Sequence, residues 1–300
     1  MNTFQIPTDL FHEEGYKTVN GIPHFYRIIG EGEPFVFLHG GPGMWHDELV
    51  PFFLDFAKSY QAIFYDQRGN GKSLMPQIDE TTFTTALLVA DLEALRQAFG
   101  IEQLNIIGHS WGGLLGMYYA SQYPQHVKRL ILIDPAPVNT PLLIQSYERL
   151  MARFTPEKWD YLQALYESDT YLAGDPDAHN EAMRISEGAT FYNKAARDVY
   201  LDTAVFDEIR AKNTVAISGP AREMKLNVTV QEQLVNIACP TLIIQGREDF
   251  ITPEAAELAN ELIKGSQLFF VPESGHYPFI EAKEAFFNRL YTFIEVRAGK

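Results

Sequence analysis

The sequence predicts an α/β protein: a mostly parallel sheet flanked by helices and interrupted by a helical insertion. Three observations predict it. Short apolar runs alternate with helix-like stretches up to Ile133, the alternation stops at Asp134-Pro135-Ala136-Pro137, and it resumes at Thr241-Leu242-Ile243-Ile244. Alternating strand and helix patterns place parallel strands side by side, with the connecting helices on both faces. The simplest division is a first core segment at 1–135, a helical cap at 136–235 and a second core segment at 236–300.

Each element has a local reason. Tyr16 to Val19 and Pro23 to Ile29 flank Asn20-Gly21, a pair suited to a tight hairpin turn. Phe35 to Leu38 is a buried-type strand, followed by a glycine-rich loop and an expected helix from Asp47 to Ser59. Ala62 to Tyr65 is the next strand, and Thr84 to Phe99 an amphipathic helix ending at Gly100. Leu104 to Ile107, Leu114 to Ser121 and Leu130 to Ile133 then read as strand, helix and strand. From about 138 to 235 the pattern is helical and rich in aromatic residues, among them Tyr147, Trp159, Tyr171, Phe191 and Tyr200. After Thr241 to Ile244 come a helix around Pro253 to Ile263, a strand at Leu268 to Val271 and a terminal helix from Ala282 to Val296.

Composition narrows the function classes. The 300 residues are 46% hydrophobic and 21% charged, enough apolar side chains for one large core. A formal net charge of −15 argues against nucleic-acid and anionic-membrane partners, which need basic patches. The single cysteine, Cys239, excludes an internal disulfide and a multi-cysteine metal site, and its place before Pro240 and an apolar run suits a buried thiol. Met1 to Pro7 lacks a basic segment followed by an apolar one, and no run reaches the length of a membrane span. A cytoplasmic protein is the expectation.

The chemistry centres on Gly108-His109-Ser110-Trp111-Gly112, which follows an apolar strand run and precedes a helix-like run. Strand, G-x-S-x-G and helix in that order make a nucleophile elbow, with Ser110 thrust out of a strained turn and glycines relieving the crowding. A serine hydroxyl needs a base, and the base needs an orienting acid. On such a scaffold the partners follow in the order serine, acid, histidine. His276, after the strand ending at Val271, is the candidate base, whereas His126 and His179 read as surface residues. Gly246-Arg247-Glu248-Asp249 supplies the acid; Asp249 is chosen, with Glu248 and the strand-end Asp134 as alternatives. His39-Gly40-Gly41-Pro42-Gly43 follows the Phe35 to Leu38 strand, where glycines let N–H groups approach a developing oxyanion. The donors are assigned to the N–H groups of Gly41 and Trp111.

Gly69-Asn70-Gly71-Lys72-Ser73 looks like the end of a phosphate-binding loop, but the required first glycine falls on Asp66. Nucleotide binding is therefore not expected, and Asp66, Arg68 and Ser73 are read as braces for the loop. His39 and His109 are read as structural.

Together these segments resemble the α/β-hydrolase superfamily, and more narrowly the proline iminopeptidase (prolyl aminopeptidase) family. The resemblance rests on His39 to Gly43, Asp66-Gln67-Arg68-Gly69-Asn70-Gly71-Lys72-Ser73, Gly108 to Gly113, Gly246 to Asp249 and Ser274-Gly275-His276. It implies the α/β-hydrolase fold, with a mostly parallel eight-stranded sheet and an inserted helical cap. It also implies removal of an N-terminal residue, often proline, from short peptides, with neither metal nor cofactor. Such enzymes hold the free α-amine with acidic cap residues. Glu187 occupies one such position, although the preceding Met183-Arg184-Ile185-Ser186 lacks the family's tryptophan. For the second amine-binding glutamate, Glu208 and Glu223 are the candidates. The expected partner is a small-molecule or short-peptide substrate. A carboxylesterase or lactonase using the same triad without amine recognition is the alternative. A non-enzymatic binding protein on this scaffold would be expected to carry a broken triad, and all three positions are filled here.

Overall fold

The computed structural model describes residues 6–296, so most of the stretch read for a leader, residues 1–5, lies outside the described residues. Strands β1 (Phe11–Val19) and β2 (Ile22–Ile29) form the hairpin, and its turn residues Asn20 and Gly21 have φ of 49° and 76°. Both central positions of this turn type require positive φ, which is why Asn-Gly serves there. β1 starts earlier than the sequence suggests because it is a largely exposed edge strand without an apolar alternation to mark it.

Between β3 (Pro34–Leu38) and β4 (Gln61–Tyr65) the expected helix is broken into 3₁₀ turns at His46–Glu48 and Val50–Phe52 and a one-turn helix α1 (Leu54–Ala57). Pro51 has no N–H to give and disfavours helical backbone at the residue before it. Asp47 and Glu48 turn to partners elsewhere: Asp47 bridges Arg27 and Arg210, and Glu48 accepts from the Gly40 N–H.

The remaining core follows the expected rhythm. Helix α2 (Thr85–Ala98) is capped by the Thr84 side chain, which accepts from the Leu87 N–H at 3.2 Å. It leads to β5 (Leu104–His109), α3 (Trp111–Gln122) and β6 (Val127–Ile133). Six helices follow: α4 (Thr140–Met151), α5 (Pro156–Tyr166), α6 (Asp169–Leu172), α7 (Pro176–Ser186), α8 (Lys194–Thr203) and α9 (Glu208–Leu226). Then come β7 (Thr241–Gly246), α10 (Pro253–Leu262), β8 (Gln267–Val271), α11 (Pro278–Glu281) and α12 (Lys283–Val296). The expected terminal helix is α12, and it is preceded by a one-turn helix, α11, opened by Pro278.

The strands form one eight-stranded sheet in the order β1-β2-β4-β3-β5-β6-β7-β8, antiparallel at β1/β2 and β2/β4 and parallel elsewhere. The chain runs outward in opposite directions from β3 and β5, so a crevice opens at the carboxyl ends of these neighbours. The loops carrying Gly40-Gly41 and Ser110 leave the sheet there. One face of the sheet packs Leu88, Leu92, Leu115 and Met117 from α2 and α3. The other packs an aromatic layer that includes Phe35, Phe37, Phe53, Phe56 and Phe286. Burial of such side chains at about 1.5–3 kcal/mol each makes the sheet a rigid base for its strand-end loops.

His179 departs from expectation. It is 1% exposed, stacked on Tyr171 at 3.8 Å between ring centroids and packed on Phe206 at 5.2 Å. The polar residues around it in the sequence cap and face α7 outward, while the imidazole turns into the insertion's own core. Burial pushes its basicity down.

Candidate active site

Ser110 lies between β5 and α3 with φ 54° and ψ −117°, backbone that a residue with a side chain adopts only when the surroundings force it. Its N–H donates to the Ile133 carbonyl at 2.9 Å, and its own carbonyl accepts from Ala136 N–H at 2.9 Å. The flanking glycines are required by contact. A Cβ on Gly108 would strike the Gly112 carbonyl, and one on Gly112 would strike the carbonyls of Leu38 and His39. Ser110, Gly41 and Trp111 line one cavity. Its walls are mainly apolar, with Leu143, Val228 and Phe250 among them, and Lys225 is its one charged lining residue among those described. Among the described residues, neither the Gly41 nor the Trp111 N–H has a protein acceptor.

His276, on the loop after β8, is 4% exposed, and its Nδ1 lies 3.0 and 3.1 Å from the two oxygens of Asp249 on the loop after β7. Burial opposes the charged imidazolium, but Asp249 outweighs it and raises the His276 pKa above its ordinary value. Phe250 packs on the His276 ring at 4.8 Å and also lines the Ser110 cavity. His109 Nε2 is 2.9 Å from the His276 carbonyl, and the His276 N–H donates to the Thr190 carbonyl at 3.1 Å. Of the alternative acids, Glu248 is exposed, whereas Asp134 is fully buried beside Asp249.

Asp134, Asp249 and His276 each place an atom within 4.8 Å of the others. Their contacts are those of hydrogen bonding: Nδ1 to both Asp249 oxygens, and Gly246 N–H to Asp134 Oδ1 at 2.8 Å.

Glu187 is half-buried at the end of α7, and its Oε2 accepts from Tyr277 Oη at 2.8 Å. Tyr277 follows His276, so this carboxylate faces the base loop instead of open solvent. Glu208 pairs with Lys212 on an exposed helix face and Glu223 is exposed, so neither is brought to the cavity. Among the named insertion aromatics, Tyr147 lines the cavity, Phe191 and Tyr200 pack on Tyr277, and Tyr171 serves the insertion's own core. Cys239 is buried, with its thiol pushed up to about 11 by burial, and lies outside the site.

Two residues were not singled out from the sequence. Glu48 is 1% exposed; it accepts from the Gly40 N–H and from Tyr200 Oη at 3.3 Å, and lies 3.7 Å from His109 Nδ1. Burial disfavours its charge, but His109 and the Gly40 N–H hold the carboxyl below its ordinary range. Glu281 accepts from the N–H groups of Tyr192 and Asn193, both at 2.7 Å, and of Gly275 at 2.9 Å, tying the insertion to the His276 loop. The loop after β4 is braced as expected. Asp66 Oδ1 accepts from His46 N–H at 2.8 Å, Ser73 Oγ donates to the Asp66 carbonyl at 2.7 Å, and Arg68 grips Asp91 at 2.5 and 2.7 Å.

The fold defines an α/β hydrolase. A family model described as alpha/beta hydrolase fold matches residues 33–283. The proline iminopeptidase of Saccharolobus solfataricus is 31% identical, the alignment covering 94% of this chain and 92% of that one. The proline iminopeptidase of Lacticaseibacillus rhamnosus is 28% identical, with 93% and 96% covered. Among solved structures, that of VinJ matches with a TM-score of 0.78 and 26% identity, covering 95% of this chain and 99% of that one. The chain belongs to the proline iminopeptidase family of α/β hydrolases. No helix among the described residues is long and apolar enough to cross a membrane.

Proposed function

We propose that this hydrolase releases an N-terminal residue, preferentially proline, from short peptides, using Ser110 as nucleophile, His276 as general base and Asp249 as the orienting acid. His276 takes the Ser110 proton as the hydroxyl attacks the substrate carbonyl, and Asp249 holds the imidazole in the productive tautomer. The Gly41 and Trp111 N–H groups, which have no protein acceptor among the described residues, receive the oxyanion, each such donor contributing about 10²–10³ in rate. His276 then protonates the leaving amine, and water resolves the acyl-enzyme. The segment 136–235 acts as a cap over the strand-end loops.

One observation carries the amine-dependent reading: Glu187, an anion on the insertion, is held by Tyr277 next to the base. A substrate ammonium docked there would meet a carboxylate held against the His276 loop. An esterase or lactonase needs the serine and base but has no use for that anion. The relatives named as proline iminopeptidases, aligned over nearly the whole chain, support the same choice.

The test compares proline amides bearing free and acetylated α-amines with simple aryl esters. We expect free-amine amides to be turned over and acetylated ones to be poor. Glu187→Gln should raise KM at least about 10-fold with a smaller effect on kcat, as loss of a charged ground-state contact does. Rapid ester cleavage with no amine-dependent amidase activity rejects the peptidase reading, and full turnover by Ser110→Ala rejects the serine mechanism altogether.

A further inference from the structure

Asp134 directly follows β6 and takes no part in the mechanism above, yet its placement is unusual in four respects. It is fully buried, and its φ of 43° is one that residues with side chains rarely adopt. It is fixed there by its own N–H, which donates to the Ile244 carbonyl at 2.8 Å. Oδ1 accepts from the Gly246 N–H at 2.8 Å, whereas Oδ2 has no hydrogen-bond donor among the described residues. What lies beside it is Asp249, itself 1% exposed. Two buried carboxylates in contact cannot both hold a charge.

We propose that Asp134 and Asp249 form a carboxyl–carboxylate pair that holds one proton, with Asp134 as the acid, so that Asp134 Oδ2–H donates to Asp249 and keeps it a single anion aimed at His276 Nδ1. This rests on the triad reading given above and makes Asp134 a positioning residue, acting through Asp249. The proton falls to Asp134 because the cations face its neighbour. His276 Nδ1 meets both Asp249 oxygens, Arg149 Nη2 donates to the Asp249 carbonyl at 3.1 Å, and the Arg153 guanidinium lies near the Asp249 charge. Asp134 has only the neutral Gly246 N–H and the further repulsion of Glu281. Burial first, and Asp249 second, hold the Asp134 carboxyl well above the ordinary carboxylate range. The remaining charges facing the pair's partner are Glu187 and Glu48, which both favour protonated His276.

The experiment uses the full chain and follows the acid limb of kcat/KM with a proline amide. Asp134→Asn keeps the acceptor for Gly246 N–H, a donor for Asp249 and a side chain at ease with positive φ. It should leave the acid limb within about 0.3 pH units of wild type and kcat within about 3-fold. Asp134→Gly keeps the backbone but removes the donor. It should move the acid limb upward, because an unshared Asp249 binds the imidazolium more tightly, and lower kcat about 10-fold or more. A downward move of the limb by about one unit in Asp134→Asn would mean that Asp134 carries a charge, and would overturn the proposal. So would an Asp134→Gly enzyme with unchanged kcat and acid limb. Difference infrared spectra read the proton without turnover. At pH 7 the wild type should show a protonated-carboxyl C=O stretch that Asp134→Asn lacks, and identical spectra would refute the pair. Turnover retained in Ser110→Ala would instead reject the triad reading, with the infrared result still reporting whether the pair exists.

Discussion

Glu48→Ala should separate loop support from substrate binding. Glu48 sits beneath the β3 loop, taking the Gly40 N–H on Oε1 and Tyr200 Oη at 3.3 Å on Oε2. Removing it leaves the buried Gly40 N–H without an acceptor, at about 1–3 kcal/mol, and leaves a space where the side chain was. Tyr200 is not stranded, because Tyr277 Oη is 3.2 Å away and can accept its proton. The expected stability loss is therefore about 2–4 kcal/mol, or roughly 3–6 °C in Tm. Gly41 follows Gly40 directly, so loosening the loop misaims one proposed oxyanion donor. The upper limit on kcat is the full loss of that donor, about 10²–10³, with KM little changed. Glu48→Gln keeps an acceptor of the same shape, so kcat should stay within about 5-fold. Because the Glu48 charge helps to raise the His276 pKa, its removal should also shift the acid limb of kcat/KM downward. The assay is kcat and KM on proline amides, with a fluorophosphonate probe counting competent serines so that unfolded protein is not scored as slow enzyme. A folded Glu48→Ala enzyme with wild-type kcat would refute the idea that Glu48 holds the oxyanion loop.

Three further predictions concern the scaffold. Gly112→Ala should cost about 1–3 kcal/mol and slow fluorophosphonate labelling, since its Cβ meets the Leu38 carbonyl. Gly219→Ala on α9, with open space around the new Cβ, should stabilise by about 0.5–1 kcal/mol; thermal melts of the two variants check both. Glu93 accepts from Arg96, Tyr119 and Gln97, and Arg96 above all brings its pKa down to about 2. A carboxyl lowered on folding contributes stability that is present above its unfolded value and is lost as pH falls toward 2. The Tm gap between wild type and Glu93→Gln should therefore narrow from pH 6 to pH 2, and a constant gap would contradict the linkage.

The elements most legible in the sequence are those whose burial is set by the sheet. The runs at β3, β4, β5 and β7 are apolar on both faces, and the loops carrying Gly41, Ser110 and Asp249 were locatable because they follow such strands. Edge and irregular pieces were not. β1 is exposed and polar, so only its last residues were marked, and Asp47 to Ser59 has helical composition until Pro51 interrupts it. Glu48 and Glu281 carry no local sign of their roles, because each serves backbone N–H groups brought near by tertiary folding. Gly40 is eight positions from Glu48, but Tyr192 is 89 from Glu281. His179 looked exposed from its polar neighbours, yet it lies on the inward face of α7 with Ala178, Ala182 and Met183. Asp134 was visible as a strand-end carboxylate, but its contact with Asp249 joins neighbouring strands that the long helical insertion separates in sequence.

That insertion is fastened to the site loops at three places, and this bears on what its sequence can change. Arg149 and Arg153 donate to the carbonyls of Asp249 and Glu248, and Glu281 and the Thr190 carbonyl join residues 190–193 to the His276 loop. Arg210 pairs with Asp47, and Thr214 donates to the Gly43 carbonyl at 3.1 Å, next to the oxyanion loop. Each joint satisfies polar groups that would cost about 1–3 kcal/mol if left unpaired in a buried setting. The loops carrying Asp249, His276 and Gly41 thus each lean on a different helix or turn of the insertion. A residue such as Glu187, at the end of α7 and hydrogen-bonded to Tyr277, is mechanically continuous with the His276 loop. Substitutions in the insertion should therefore alter kcat as well as KM, and specificity on this scaffold is not free to vary independently of the catalytic geometry.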